Sequence, residues 1–403
     1  MALTAAHVAG DANHVADHNL IDVALGSVAK TQLGIFVPTG WGSNAKSKLA
    51  TKCKIAVVGD SVGKGYYASN LDTTSWVGKL RTRMQTAYGN GGSGWKGVVD
   101  STTWATAAGI GGSAQTAYTS NGSYIALTGT WANYSSNAFG IGGASITTST
   151  ASSSATFTVT GSTVKIFTIG GNGSWNYQID GGTVTAGTIG SYQTVNATTI
   201  TGLSTGSHTV KVIYGGTGTL YLNGVSGENT AGVCIDQFSV YGAGSALVNN
   251  TDGLTNGYGM GGNLYPSDCV IYAMGLNDAA NNVSYATYLQ NVERYIGGVR
   301  DAGTATGAVD LIFVTQHAGR YDDTNRLMAQ YAGGLRAIAE NYNAAVVNIW
   351  SLYSNSYAAF NAIGGWANAA SPGSAGSDSV HISDAGNTAV YNAVNTVIQA
   401  NIG

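Results

Sequence analysis

Residues 51–64 read TKCKIAVVGDSVGK, and the middle of this stretch, KIAVVGD at 54–60, is a continuous apolar run of strand length. A run without alternation suits a strand buried on both faces, as in a parallel sheet covered by helices. It ends in Gly59-Asp60-Ser61, a tight turn carrying a hydroxyl where the strand would leave the sheet. A helix pattern follows from Ser75 to Tyr88, with Trp76, Leu80, Met84 and Tyr88 spaced by four. Thr74 or Ser75 can cap its start, and Gly89 is placed to end it.

The same strand–helix texture returns far downstream. CIDQFSVYG (234–242) and DCVIYAMG (268–275) read as strands. Tyr285, Tyr288, Leu289, Val292, Ile296 and Val299 form one helical stripe. LIFVTQ (311–316) is a strand, 324–342 a helix, AVVNIW (345–350) a strand and 384–400 a closing helix. Such alternation implies a parallel sheet in a three-layer α/β/α sandwich with right-handed crossovers.

Residues 89–233 interrupt it. They carry almost no helical period and alternate instead, as in Phe157/Val159, Val164/Ile166, Tyr177/Ile179, Val210/Val212 and Leu220/Leu222. Asp180-Gly181 and Asn223-Gly224 read as turns between the runs. The segment is therefore expected to be an all-β sandwich or jelly roll inserted into the α/β unit. The expected division is 1–50 as an N-terminal segment, 51–88 with 234–403 as the α/β domain, and 89–233 as the insert. The insert begins after the first helix, so an overhang above the carboxyl edge of the sheet is expected. Trp104, Trp131, Trp175, Tyr177 and Tyr192 are candidates there for stacking on sugar rings, with burial in a core as the plainer reading.

Composition narrows the partners. The chain has 403 residues, with 17 basic and 20 acidic side chains and a formal charge of −3. That gives no basic field for nucleic acid. Charged residues make up only 9%, against roughly 25% in an average domain. Surfaces of Gly, Ser, Thr, Asn and Tyr suit secreted or virion proteins that meet glycans. Cys53, Cys234 and Cys269 are an odd count without CxxC spacing, and are read as buried thiols. No stretch approaches the ~18 apolar residues of a membrane span, and no signal peptide is visible at the N-terminus.

In an open parallel sheet, ligands bind beyond the carboxyl ends of the strands. Four polar features fall at or near such ends: Gly59-Asp60-Ser61, Gly242, Gly275-Leu276-Asn277-Asp278 and Asp378-Ser379-Val380-His381. Taken singly, a serine after a strand is usually a helix cap. Taken together, VVGDSVGKG, SVYGAG, MGLND and DSVH resemble the blocks of the SGNH (GDSL-type) serine hydrolases, over roughly 51–88 and 234–403. Val62 stands where that family more often has leucine. The resemblance implies a flavodoxin-like α/β/α fold and an esterase. It makes Ser61 the nucleophile, His381 its base and Asp378 the residue that orients the base, a catalytic triad. The oxyanion hole would combine the Ser61 and Gly242 N–H groups with the Asn277 amide. Asp60 is read as an acceptor shaping the turn, and Asp278 as structural.

His317, with Arg320 and Asp322 nearby, is a candidate substrate-binding residue at a pocket rim, against the alternative of a solvated loop. The glycine runs at 109–112 and 140–143 lack a following helix and lysine, so they are not read as phosphate loops. Gly109–Gly112 and Gly140–Gly143 remain competitors of Gly242 for the oxyanion position. At the N-terminus, Gly10, Asn13, Asp17, His18, Asn19 and Ile21 resemble the opening of phage tail proteins. His7, His14 and His18 do not form a closed metal-ligand set, and no metal or other cofactor is expected.

The expected activity is hydrolysis of O-acyl esters, as an esterase or deacetylase, through an acyl-serine. The favoured substrate is an acylated cell-surface polysaccharide, and the favoured setting a virion tail or the extracellular space. Other phage tail proteins or further copies of the chain are the expected partners. The rival is a non-catalytic receptor-binding or structural tail module on a hydrolase scaffold, which the intact serine, histidine, aspartate and asparagine disfavour.

Overall fold

The computed structural model describes residues 34–98, 125–133, 145–171, 173–191, 194–239, 242–248, 266–304, 309–317, 322–368, 371–378 and 380–403. The N-terminal histidines and tail-like pattern, Trp104, Tyr192, Arg320, Gly109–Gly112 and Gly140–Gly143 lie outside these residues.

In chain order the strands are β1 (Ile35–Phe36), β2 (Lys52–Gly59), β3 (Gly94–Gly97), β4 (Ile125–Thr128), β5 (Ala132–Asn133), β6 (Ile146–Thr148), β7 (Ser154–Thr160), β8 (Thr163–Ile169), β9 (Trp175–Ile179) and β10 (Thr185–Ala186). There follow β11 (Val195–Ile200), β12 (Ser207–Tyr214), β13 (Leu220–Glu228), β14 (Gly232–Gln237), β15 (Cys269–Ala273), β16 (Asp310–Thr315), β17 (Ala345–Asn348), β18 (Ala367–Asn368) and β19 (Ser371–Ala375).

One sheet runs β1-β17-β16-β15-β2-β14, parallel except for the short edge strand β1. All but the first residue of β2 is buried, as its unbroken apolar run requires. Counting only the five parallel strands along the chain, their order is 2-1-3-4-5, the flavodoxin-like arrangement. The order reverses between β2 and β15, so a crevice is expected beyond the carboxyl ends of those two strands. The helix Trp76–Tyr88 begins on a Ser75 cap whose side chain accepts from Gly78 N, and packs against the closing helix Asp384–Asn401. The helices Tyr285–Thr304 and Asp322–Tyr342 form a second pair, with Tyr288 stacked on Tyr331 at 4.0 Å.

Two antiparallel sheets make the sandwich, β10-β9-β12-β7-β4 facing β11-β8-β13-β6-β5, with β3 added on β13. Phe157, Val159, Val164, Ile166, Val210, Val212, Leu220 and Leu222 are all buried in its core. The alternation seen in the sequence is thus one face of each strand. Asp180 and Gly181 both take left-handed backbone (φ 51° and 70°) and turn the chain after β9. Asn223-Gly224 does not turn it. The pair lies inside β13, where the register shifts between Leu222 and Gly224, a β-bulge. β3 runs so close there that a Cβ on Gly224 would clash with the Lys96 carbonyl.

The strand expected over 234–242 is also shorter than its apolar run. β14 ends at Gln237, the last residue in register with β2, opposite Val57. Gly242 lies in the loop beyond. The sandwich joins the α/β unit along this edge. Trp95 meets Phe167 and Phe238 at 5.3 and 5.6 Å, and its backbone N–H donates to Asp236. Buried Glu228 is paired with Lys52, Lys54 and Lys165. Lys52 and Lys54 sit at the start of β2, the end opposite Ser61, so this ionic anchor does not support the expected overhang. Trp131 and Trp175 are buried and unavailable for stacking on sugars, while Tyr177 is half-buried. The three cysteines are buried free thiols. Among the described residues, no helix is long and apolar enough to cross a membrane.

Candidate active site

Ser61 leaves the carboxyl end of β2 as the first residue of a one-turn helix, Ser61–Lys64. Asp60 caps that turn: its Oδ1 accepts from Val62 N (2.9 Å) and Gly63 N (3.3 Å). Trp76 Nε1 donates to Val62 O and Gln237 Nε2 to Gly63 O, so both sides of the turn are tied to the scaffold.

Asp378 and His381 arrive on the loop between β19 and the closing helix. Asp378 Oδ1 accepts from Val380 N (2.7 Å) and His381 N (2.8 Å), which folds the loop into a local turn. Ala367 holds it from the other side, donating to His381 O and accepting from Asp378 N. Asp378 Oδ2 then lies 3.2 Å from His381 Nδ1, and His381 Nε2 lies 3.1 Å from Ser61 Oγ. A carboxylate only accepts, so Nδ1 carries the hydrogen and Nε2 is free to accept the serine proton. Burial alone would raise the Asp378 carboxyl. The bonds from the His381 ring and from the His381 and Val380 N–H groups outweigh it and hold the carboxyl at about 2.

The asparagine turn follows β15. Asn277 Nδ2 donates to Ala243 O (3.1 Å) and reaches Asp60 Oδ2 at 3.5 Å. Asp278, buried, accepts from Ser245 N and Oγ, which fastens the 242–245 loop to this turn. Burial raises its carboxyl. Gly242 therefore sits on a loop held beside Asn277. Its backbone is left-handed (φ 72°), and a Cβ there would meet nothing within 4 Å. Left-handed backbone of this kind favours glycine.

Two features escaped the sequence reading. Gln316, buried at the end of β16, donates from Nε2 to both Asp60 oxygens (2.7 Å each) and accepts at Oε1 from Leu276 N (2.7 Å). It joins the serine turn to the asparagine turn. Burial pushes the Asp60 carboxyl up to about 6, against the lowering effect of Gln316 and the Gly63 and Val62 N–H groups. The other feature is an aromatic flank. Half-buried Tyr66 and Tyr67 meet the His381 ring edge-on, at 4.7 and 5.3 Å, and Tyr67 is held in left-handed backbone (φ 67°). A polar residue directly after LIFVT, and a tyrosine pair five residues past the serine, were the available signals.

His317 requires a correction. It is fully buried, with Nε2 2.9 Å from Val380 O and its ring against Phe360 and Trp366. It is neither at a rim nor on a solvated loop, because the aromatic box closes over it.

The profile of the GDSL-like Lipase/Acylhydrolase family matches residues 208–389, a span that contains Asn277, Asp378 and His381 but not Ser61. No curated protein matches. A solved peptidoglycan O-acetylesterase is similar in fold with a TM-score of 0.60 at 17% identity, covering 90% of this chain and 94% of that one. Coverage that broad reaches into the sandwich as well as the α/β unit. A family two carbohydrate esterase from Clostridium thermocellum, solved with cellohexaose, superposes only loosely, with a TM-score of 0.32 at 10% identity over 64% of this chain and 95% of that one. The matched profile and the flavodoxin-like sheet together show that this chain carries a GDSL-like lipase/acylhydrolase domain and is a carboxylic ester hydrolase.

Proposed function

We propose that this chain removes O-acyl groups, acetyl first among them, from a cell-surface polysaccharide through an acyl intermediate on Ser61. The hydrogen-bonded line Asp378–His381–Ser61 at the switch point of the sheet carries the proposal. Serine is a poor nucleophile until a neighbouring base takes its proton. Ser61 Oγ attacks the ester carbonyl carbon while His381 Nε2 accepts that proton. The Ser61 and Gly242 N–H groups receive the oxyanion, joined by the Asn277 Nδ2 hydrogen that gives up its long 3.5 Å contact with Asp60. His381 then returns the proton to the departing sugar oxygen, leaving acyl-Ser61. Water, deprotonated by His381, attacks the acyl carbon, frees the carboxylic acid and restores Ser61.

The glycan substrate draws on the name of the peptidoglycan O-acetylesterase that shares the fold, and on a surface poor in charge. Tyr66 and Tyr67, beside the base, offer faces to a sugar ring. The phage-tail setting rests on the tail-like pattern from Gly10 to Ile21 alone. Turnover of p-nitrophenyl acetate, longer p-nitrophenyl esters, O-acetylated peptidoglycan and acetylated xylan tests the proposal. Acetate release from a polysaccharide, abolished by Ser61→Ala, is expected. A folded protein that turns over none of these esters would overturn it and favour the non-catalytic module.

A further inference from the structure

The relay leaves His317, a fully buried histidine beside the site, unused. His317 follows β16, with Phe360 flat against its ring (5.0 Å, planes within 8°) and Trp366 edge-on at 4.9 Å. Its Nε2 must carry the hydrogen, because the Val380 carbonyl 2.9 Å away can only accept. Its Nδ1 has no hydrogen-bond partner among the described residues. Burial pulls the ring down to about 4, so it is neutral at pH 7. In such an aromatic box an imidazole is a worse filler than a phenyl ring of the same shape, since it buries an unpaired nitrogen. What the imidazole adds is the Nε2–H.

That hydrogen goes to a specific place. The Val380 carbonyl and the His381 N–H belong to one peptide unit. His317 binds its oxygen, and Asp378 Oδ1 binds its hydrogen at 2.8 Å. With both ends held, the backbone leading into His381 has one orientation, and with it the direction of the His381 side chain. The Ser61–His381 contact of 3.1 Å depends on that direction. A misplacement of 1 Å in such a contact can cost about 100-fold in rate.

We propose that His317 is a positioning residue for the base: its Nε2–H locks the Val380–His381 peptide so that His381 stays within reach of Ser61. The proposal rests on Ser61 and His381 acting as nucleophile and base. His317 itself does not touch substrate. Gln316, its neighbour in sequence, ties the serine turn to the asparagine turn, so the end of β16 fixes both sides of the site.

His317→Phe keeps the ring packing and removes the donor, whereas His317→Gln restores an amide donor without the ring. On p-nitrophenyl acetate, His317→Phe is expected to lose about 10-fold or more in kcat, with KM within about threefold and Tm not lowered. His317→Gln is expected to recover part of the kcat even where its Tm is lower. A purely structural role would make kcat follow Tm instead, and a folded His317→Phe with parental kcat would overturn the proposal. Long-range 1H–15N spectra of the parent protein supply a readout independent of activity and of the variants' folding. They should show His317 as the neutral Nε2–H tautomer, and an Nδ1–H tautomer would also overturn it. A parent protein without esterase turnover would count against the functional reading, and these spectra would still report on the His317 bond.

Discussion

Ser61 Oγ and His381 Nε2 lie 3.1 Å apart although 320 residues separate them in the chain. The separation is bridged by the sheet: Ser61 ends its first parallel strand, and the loop carrying His381 precedes its last helix. Everything between, including the whole sandwich, leaves this contact intact because the insert joins at edge strand β14 rather than between β2 and β15.

Asp378→Asn should keep the fold and lose about 10³–10⁴-fold in kcat, through loss of the tautomer and charge support that the carboxylate gives His381. With Asp378 held at about 2, it stays charged at every working pH. The dependence of kcat/KM on pH should therefore contain no step from Asp378. Steady-state kinetics across pH would show a loss that Asp378→Asn abolishes if Asp378 titrated in the working range.

Gln316→Met should lower kcat by about tenfold with little change in KM. It removes two bonds from Asp60 and one from Leu276 N while keeping the volume. Asp60 would then move above its present value of about 6, since a donor that favours its charged form is gone. An unchanged kcat in the folded variant would show that the serine and asparagine turns hold each other without Gln316.

Glu228→Gln tests the junction of sandwich and sheet. Burial alone would raise this carboxyl, but Lys54, Lys165 and Lys52 bring it to about 2 from an ordinary 4.5. A depressed carboxyl contributes stability above its unfolded value, and that contribution is lost as pH falls from about 4.5 towards 2. At pH 7 the variant should be less stable by about 3 kcal/mol, because buried Lys54 and half-buried Lys52 and Lys165 lose the Glu228 carboxylate. Denaturant titrations should show the gap to the parent closing on acidification. A gap that is absent at pH 7, or constant with pH, would mean the lysines are satisfied elsewhere.

Gly242→Ala tests the part of this loop in the oxyanion hole. No atom would meet the new methyl, so the cost is that of placing a non-glycine residue at φ 72°, about 1–2 kcal/mol. If its N–H receives the oxyanion, kcat should fall more than KM, since that contact strengthens in the transition state. A fall in Tm alone, with kcat unchanged, would remove Gly242 from the oxyanion hole.

Much of the scaffold was legible because its signals are local. An apolar run without alternation gave β2, a four-residue spacing gave the helix from Trp76, and strict alternation gave the sandwich faces of β7, β8 and β12. What escaped depends on contacts distant in sequence. β14 stops at Gln237 because its pairing with β2 stops there, although the apolar run continues. Asn223-Gly224 forms a bulge because β3 lies against it, which no short-range turn rule can register. Ser61, Asn277, Asp378 and His381 stood out through motif order. Gln316 did not, and His317 stood out only as a rim residue, since a glutamine and a histidine after a strand look the same in a solvated loop as in a buried clamp.

The acyl intermediate is the central claim, and trapping it is the most direct measurement. The protein is mixed with excess p-nitrophenyl acetate, quenched with acid during turnover, digested and read by mass spectrometry. The account predicts one acetyl group on the peptide containing Ser61, present in the parent, accumulated in a variant slowed in deacylation and missing from Ser61→Ala, which should also lack turnover. An acetyl group on another residue, or a folded Ser61→Ala that hydrolyses the ester at the parental rate, would contradict it.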